Sequence, residues 1–537
     1  MDGNGHSTEA AVATRGGSGY SRGSFLKRVG LTAGALAVGG NVTRVFAPSA
    51  VAARSSTVAT APTTFGRIFG GLPPFAPATD QVRSALVELG KSGGVLDARD
   101  DLSAGPVQLI TDPALSAGNR NNPSQTAGTT FFGQFVDHDT TFDTTSKLGV
   151  PTEPTTTPNS RSPSLDLDSV YGGGPVATPQ LYDPSDRAKL RVGFGGLFED
   201  LPRGDNLTAI IADPRNDENL MIAALHAAIL LFHNRAVDEV RAPTSSGDPL
   251  DAYGEARRLT TWHYQWLVVN EFLPQIVGQR MVDDVLRGRR FYRPQRGQAF
   301  MPVEFQGATY RFGHSIVRPS YRANLKGDGG NAFFGMIFDS AGAGQADPID
   351  LRGGARAARR FIGWQTFFDF GDGEVKPNKR IDSKISTPLF NIPLGAIASH
   401  DQPQVLPQRN LLRQLTWGLP SGQAIASAMD VPRLAAADLS ELSALGVGFE
   451  TSTPLWYYVL KEAELANDGL RLGPMGGRIV AEVLIGLLDA DPNSYRNAKQ
   501  KWTPVFGSFG NTFRMTDFLR FAGVDPASRH AAQPDYA

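Results

Sequence analysis

Three consecutive ionisable residues, Asp137, His138 and Asp139, close the otherwise apolar and aromatic stretch T-A-G-T-T-F-F-G-Q-F-V-D-H-D, and no other feature of the chain restricts its fold as strongly. Phe131, Phe132, Phe135 and Val136 imply a buried helix, beside which charged groups are costly unless each finds a partner. Successive helical residues point about 100° apart, so the three groups face three directions while Gln134 shares the face of His138. One short helix can then serve three sites at once. A surface helix with solvated charges is the alternative, and the aromatic content argues against it.

Helical periodicity dominates the rest of the chain. It is clearest over Asn219 to Val240, where Leu220, Ala223, Ala224, Ala227, Leu230 and Leu231 recur at three and four spacing. Further helices are expected at 80–90, 127–142, 254–277, 421–429, 454–466 and 476–488, with strands short and scattered. Polar loops rich in Pro, Asn, Thr and Ser separate them, notably 150–164 and 242–250. No repeat or low-complexity linker interrupts 60–532, which predicts one large, mainly α-helical domain. No apolar run of about 18 residues stands out, so no membrane-spanning helix is expected. Residues 1–55 read as a disordered leader: a Gly/Ser/Ala-rich start, S-R-G-S-F-L-K at 21–27, a mild apolar run at 29–40, and A-V-A at 50–52 as a cleavage site. This resembles a twin-arginine export signal with Gly23 in place of the second Arg, and it predicts a periplasmic or extracellular protein.

Composition decides which chemistries are open. With 52 basic and 53 acidic residues there is no electrostatic footprint for nucleic acid or a membrane surface. The absence of cysteine excludes disulfides, thiolate metal sites, iron-sulfur clusters and a cysteine nucleophile together. Any metal must use His or oxygen ligands. Of the eight His, His6 and His530 fall in tails expected to be disordered.

Four segments carry candidate groups. Between Ser162 and Gly172, oxygen-bearing side chains alternate at Ser162, Ser164, Asp166 and Asp168; an extended loop would turn them toward one point, and hard oxygen ligands suit calcium. A half-buried strand with a polar face has the same pattern. Arg215 and Glu218, in D-P-R-N-D-E-N-L, open the long helix from about one face, as an ordinary surface pair would too. His226 and His233 lie seven apart, but no acidic ligand faces them at helical spacing, which favours structural histidines over a metal pair. His314, in A-T-Y-R-F-G-H-S-I-V-R-P, has apolar surroundings that suit a buried imidazole ligand or a satisfied core histidine.

Together these motifs resemble the animal-type haem peroxidases, within the peroxidase–cyclooxygenase superfamily. Q-F-V-D-H-D, the loop through V-Y-G, D-P-R-N-D-E-N with H-A-A-I-L-L-F-H-N-R, F-G-H, and R-N-L-L-R followed by G-L-P occur in the family's order from 126 to 420. P-L-W-Y-Y-V-L-K-E-A-E-L and G-G-R-I-V-A-E-V-L-I-G-L-L resemble its carboxyl-terminal helices. The resemblance implies a mainly α, single-domain fold with haem b between a distal helix and a proximal-histidine helix. It assigns His314 as axial ligand, Asn410 as acceptor of that ligand's other ring proton, and Arg413 as partner of a haem propionate. It places His138, Arg215 and Gln134 on the peroxide side, and Asp137 and Glu218 at positions that ester-link to haem. Calcium falls to Asp139, Ser162, Ser164 through its carbonyl, Asp166 and Asp168, the last standing where some relatives have Ser. Asn219 occupies the place of a methionine that links to haem in one vertebrate member, so that bond is excluded. The lack of cysteine fits a bacterial branch.

The implied activity is reduction of hydrogen peroxide, with His138 as base and then acid, Arg215 stabilising the departing oxygen, and a small organic donor or a halide oxidised in turn. Two rivals remain. A haem-dependent fatty-acid dioxygenase would carry a radical tyrosine three residues before the proximal histidine; that position is Arg311, with Tyr310 one step further. A secreted adhesion protein on the same fold is suggested by K-G-D at 326–328.

Overall fold

Apolar residues at helical spacing set most of the architecture of the computed structural model, which describes residues 63–242, 249–354, 357–507 and 512–533. The export-like leader and His6 lie outside the described residues. Asn219 caps the central helix Leu220–Arg241 by accepting the amide of Ile222 on its side chain, and nearly every residue from Leu220 to Val237 is buried. This helix packs against Ala127–Thr140, Pro249–Leu267 and Met515–Ala522. By length and composition alone it is apolar enough to cross a membrane, but 94% of its most apolar window is buried inside the protein, as in the core helix of a globular domain.

Four other expected helices appear at Asp80–Leu89, Gly422–Ala428, Leu455–Asn467 and Pro474–Ala490. The helix expected at 254–277 is broken. It runs from Pro249 to Leu267, passes through a π-helical turn at Val268–Phe272, and resumes at Leu273–Val277. Pro274 supplies no amide hydrogen to the turn before it, which loosens the regular ladder there. His530 is not in a disordered tail but in the helix Pro526–Ala532. His314 ends a 3-10 stretch, Thr309–His314, rather than lying on an α-helix.

Five two-stranded sheets complete the described residues. The longest pairs Ser320–Asp328 with Asn331–Met336, turning at Gly329 and Gly330 with φ of 59° and 88°, where glycine carries no side-chain penalty. The K-G-D segment ends at this tip, and Asp328 pairs with Arg359 at 3.5 Å. One continuous apolar core underlies the helices, with a small satellite of Leu201, Ala223 and Ala227.

Candidate active site

Helix Ala127–Thr140 forms one wall of a cavity of about 360 Å³, and the 309–314 stretch with helix Leu406–Thr416 forms the opposite wall. Gly133 lets the wall close up: a Cβ there would lie 3.1 Å from the ring of Phe272, the last residue of the π turn. Asp137, His138 and Asp139 do face three ways. Asp137 opens to the cavity 3.9 Å from Arg215 Nη1. His138 turns to Asn216, and Asp139 turns away from the cavity, accepting from Leu167 N at 3.1 Å and Ser169 Oγ at 3.0 Å.

Arg215 is held by Asp213, which caps the short 3-10 turn Pro214–Asp217. Asp213 accepts from Arg215 Nε at 3.0 Å and Nη2 at 2.7 Å, and from Arg161 Nε at 2.8 Å. Burial disfavours the Asp213 carboxylate, but the two guanidiniums outweigh it and hold its pKa well below the usual range. The same fork turns Arg215 so that Nη2 also donates to the carbonyl of His138 at 3.0 Å, with Phe142 under the guanidinium at 4.1 Å.

The imidazole of His138 is buried, and burial followed by the charge of Arg215 lowers its pKa to about 3, so it is neutral. Nδ1 donates to Asn216 Oδ1 at 2.9 Å. Nε2 is 3.9 Å from Glu218 Oε2. Glu218 accepts from Gln134 Nε2 at 3.1 Å, and burial pushes its carboxyl up to about 8. Gln134 is fixed at both ends, since its oxygen accepts from Asn219 Nδ2 at 3.1 Å. Asp137 is likewise raised by burial, against the pull of Arg215.

On the opposite wall, burial and then Arg311 lower the pKa of His314 to about 3. Its Nδ1 faces Asn410, but not in the sense the resemblance implied. Asn410 Nδ2 lies 2.7 Å from Nδ1, because Oδ1 accepts from Arg311 Nη1 at 3.1 Å. In this arrangement Asn410 donates and the ring proton sits on Nε2. A metal at Nε2 therefore requires the amide to turn and Arg311 to release it. Arg413 lines the cavity and donates to Asp143 Oδ2 at 2.8 Å and Ser146 Oγ at 2.6 Å. Tyr310, one step from the dioxygenase position, also lines the cavity rather than turning aside, and its hydroxyl donates to Gly133 O at 3.1 Å.

Behind the distal wall, carboxylate oxygens of Asp139, Asp166 and Asp168 come within 4.8 Å of one another. Leu167, at φ 59°, turns the loop so that both its neighbours point inward. Ser162 Oγ donates to Asp166 Oδ1 at 2.7 Å and Ser162 N to Asp168 Oδ2 at 2.9 Å. The side chain of Ser164 points instead to Asp491, at 3.1 Å. Asp168 Oδ1 is buried and accepts no hydrogen bond among the described residues, and Arg161 Nη1 approaches it at 3.6 Å. Burial raises all three pKa values, and neighbouring carboxylates add to the rise.

His226 and His233 do not form a metal pair: His226 Nδ1 meets Asn216 Nδ2 at 3.0 Å, and His233 meets Tyr171 Oη at 3.0 Å and Ala188 O at 2.8 Å. Sequence reasoning missed Asp213, Asn216 and Asp143. Only Asp213 left a signal, as the Asp before Pro that typically caps a turn.

A family model described as animal haem peroxidase matches residues 144–332, a span holding the Asp166 and Asp168 loop, Arg215, Glu218 and His314. Residues 144–332 are thus similar to the animal haem peroxidase domain. The 127–140 helix and Asn410 lie outside the matched span. The domain is similar to the probable oxidoreductase PXDNL of Homo sapiens, 28% identical over 31% of this chain and 12% of that protein. It is also similar to chorion peroxidase of Aedes aegypti, 27% identical over 29% of this chain and 22% of that protein. Thyroid peroxidase of Mus musculus is 26% identical over 29% of this chain and 19% of its own length. The matches thus span under a quarter of these relatives. Among solved structures, peroxidase A from Dictyostelium discoideum aligns with a TM-score of 0.57 at 15% identity, over 82% of this chain and 89% of that one. Fatty acid alpha-dioxygenase from Oryza sativa aligns with a TM-score of 0.54 at 12% identity, over 88% and 82%. At these identities the likeness concerns the mainly helical peroxidase fold.

Proposed function

We propose that residues 60–532 form a haem peroxidase that reduces hydrogen peroxide, preceded at 1–55 by an export leader. Two neutral histidines opening into one cavity, the buried His138 on one wall and the half-buried His314 on the other, support this reading most directly. The cavity falls in the range of cofactor pockets, roughly 300–1,000 Å³. Its donor set suits haem: His314 would ligate the iron once the Asn410 amide turns, Arg413 and the neighbouring Arg409 would pair with propionates, and the two carboxyls of raised pKa, Asp137 and Glu218, would be sites for ester links.

When bound, the haem supplies the redox centre that accepts oxidising equivalents from peroxide and passes them to a donor. His138 Nε2, unprotonated because Nδ1 holds the ring proton, takes a proton from the near peroxide oxygen and returns it to the departing one. Arg215, already oriented by Asp213, stabilises negative charge on that oxygen without reorganising. Gln134, tied to Glu218 and Asn219, holds the polar rim of the peroxide side in place. The donor is a small organic molecule or a halide.

Calcium belongs to the same proposal. Three clustered carboxylates with raised pKa values, Asp139 buried and Asp166 and Asp168 half-buried, favour a cation, with Arg161 alone reaching the Asp168 oxygen, at 3.6 Å; Asp139, Asp166 and Asp168 with Ser162 and the carbonyl of Ser164 form an oxygen donor set of the right type.

A dioxygenase is the second reading, favoured by the place of Tyr310 in the cavity wall. Arg311 stands at the position expected for the radical tyrosine, and Tyr310 spends its hydroxyl on a main-chain carbonyl. The absorption spectrum of purified protein tests the proposal first: one histidine-ligated ferric haem per chain is expected, perturbed in His314→Ala. A chain that takes up no haem refutes it, and oxygen uptake on linoleate that vanishes in Tyr310→Phe promotes the dioxygenase.

A further inference from the structure

Asn216 lies in the 3-10 turn between Asp213 and the central helix, fully buried, with its amide between two imidazoles. Its Oδ1 is 2.9 Å from His138 Nδ1 and its Nδ2 is 3.0 Å from His226 Nδ1. An amide oxygen only accepts and an amide NH2 only donates, so the two contacts are mutually dependent. If His226 presents a bare Nδ1, the NH2 group must point at it, the oxygen must point at His138, and His138 must then carry its proton on Nδ1. Turning the amide over would place NH2 against His138, move that proton to Nε2, and block the cavity-facing nitrogen as a base.

We propose that Asn216 and His226 act as a tautomer relay: His226, outside the cavity, fixes the orientation of the Asn216 amide, and the amide fixes which nitrogen of His138 faces the cavity as a bare acceptor. This rests on the peroxidase reading for its consequence but not for its geometry. His226 sits one helical turn and a half inside the central helix, packed edge-on against Phe135 with ring centroids 6.3 Å apart. Helix packing therefore holds the far end of the relay, and it reaches His138 without touching the cavity. Asn216 and His226 are positioning residues; His138 is the group that meets the substrate.

Isosteric replacements test it. Asn carries its oxygen on Cγ, where His carries Nδ1, so His226→Asn keeps an acceptor for Asn216 Nδ2, whereas His226→Leu removes it. The stopped-flow rate of the haem-loaded protein with hydrogen peroxide, and with cyanide, which also delivers a proton to a distal base on binding, should fall by about tenfold to a hundredfold in His226→Leu. That is part of the factor of about 10² to 10⁴ that acid-base catalysis contributes. His226→Asn should restore most of it, and Asn216→Leu should resemble His226→Leu. Long-range 1H–15N spectra of the diamagnetic carbonmonoxy ferrous form should show His138 protonated on Nδ1 in the parent and in His226→Asn, and a mixture or the Nε2 form in His226→Leu. Rates and tautomer unmoved in properly folded His226→Leu overturn the relay while leaving the peroxidase reading intact, and so does an Nε2-protonated His138 in the parent. If peroxide is not reduced, the peroxidase reading fails, and cyanide rates still report the relay. If no haem binds, the same spectra of the protein as isolated do.

Discussion

Asp213→Asn should separate the charge of the Arg215 clamp from its shape. Asp213 is fully buried and accepts from Arg215 at 3.0 and 2.7 Å and from Arg161 at 2.8 Å. The amide keeps the volume, but it leaves the two guanidiniums with only the more distant carboxylates of Asp137, 3.9 Å from Arg215, and Asp168, 3.6 Å from Arg161, and it replaces one acceptor with a donor facing a donor. Breaking a buried pair in this way costs about 3–5 kcal/mol. With an unfolding entropy of about 2.1 cal/mol/K per residue, a chain this long loses roughly 1 °C of melting temperature per kcal/mol, so the midpoint should fall by about 3–5 °C at pH 7. The sign with pH follows from the depressed pKa of Asp213. Below the unfolded value of about 3.9 the unfolded chain binds a proton that the folded one refuses, so this stabilisation is full above that value and is lost as pH falls toward the folded pKa. Parent and variant should therefore converge in calorimetry as the buffer is taken from about pH 5 to below pH 3. Peroxide cleavage should drop by about 10² to 10³, the usual loss for a preorganised electrostatic donor. A variant melting within about 1 °C of the parent at pH 7, with an unchanged peroxide rate, would refute the assignment of Asp213 as the clamp.

Four further outcomes are expected. His138→Ala should slow the reaction with peroxide by about 10² to 10⁴ in stopped-flow, while Tyr310→Phe leaves peroxide-dependent oxidation of a phenol intact. Asp166→Ala should remove calcium from purified protein by elemental analysis and lower activity; full activity without the metal would count against the site. After many peroxide turnovers the haem should resist acid-acetone extraction, and Asp137→Ala or Glu218→Ala should each restore partial extraction. Gly128→Ala would set a Cβ 2.4 Å from the ring of Phe368, so calorimetry should show a loss of about 1–3 kcal/mol, typical of an overpacked core.

The helices legible in the sequence are those whose apolar face runs unbroken, such as Leu220–Arg241 and Ala127–Thr140. Helix Gln279–Arg287 was not, because only Val282 and Val285 of its nine residues are buried, and the π turn at 268–272 was hidden within a periodicity that reads as one helix. In the site, the three directions of Asp137, His138 and Asp139 followed from helical geometry alone. The partners did not: Asn216 meets His138 across 78 residues of sequence and Asp143 meets Arg413 across 270, and no local pattern encodes such contacts. The orientation of Asn410 was beyond sequence for a related reason. It depends on which of two neighbours, Arg311 or His314, claims the amide oxygen.

Helix 127–140 commits adjacent residues to unlike tasks, with Asp137 at the cavity, His138 on Asn216 and Asp139 at the carboxylate cluster. Single replacements along it can be absorbed one task at a time. A one-residue insertion or deletion upstream within the helix cannot, because it rotates all three groups together by about 100°. Homologous lengths of this segment should then be invariant even where its residues drift, and a gap introduced between Gly128 and Val136 should abolish the cavity, the clamp and the cation cluster in one event.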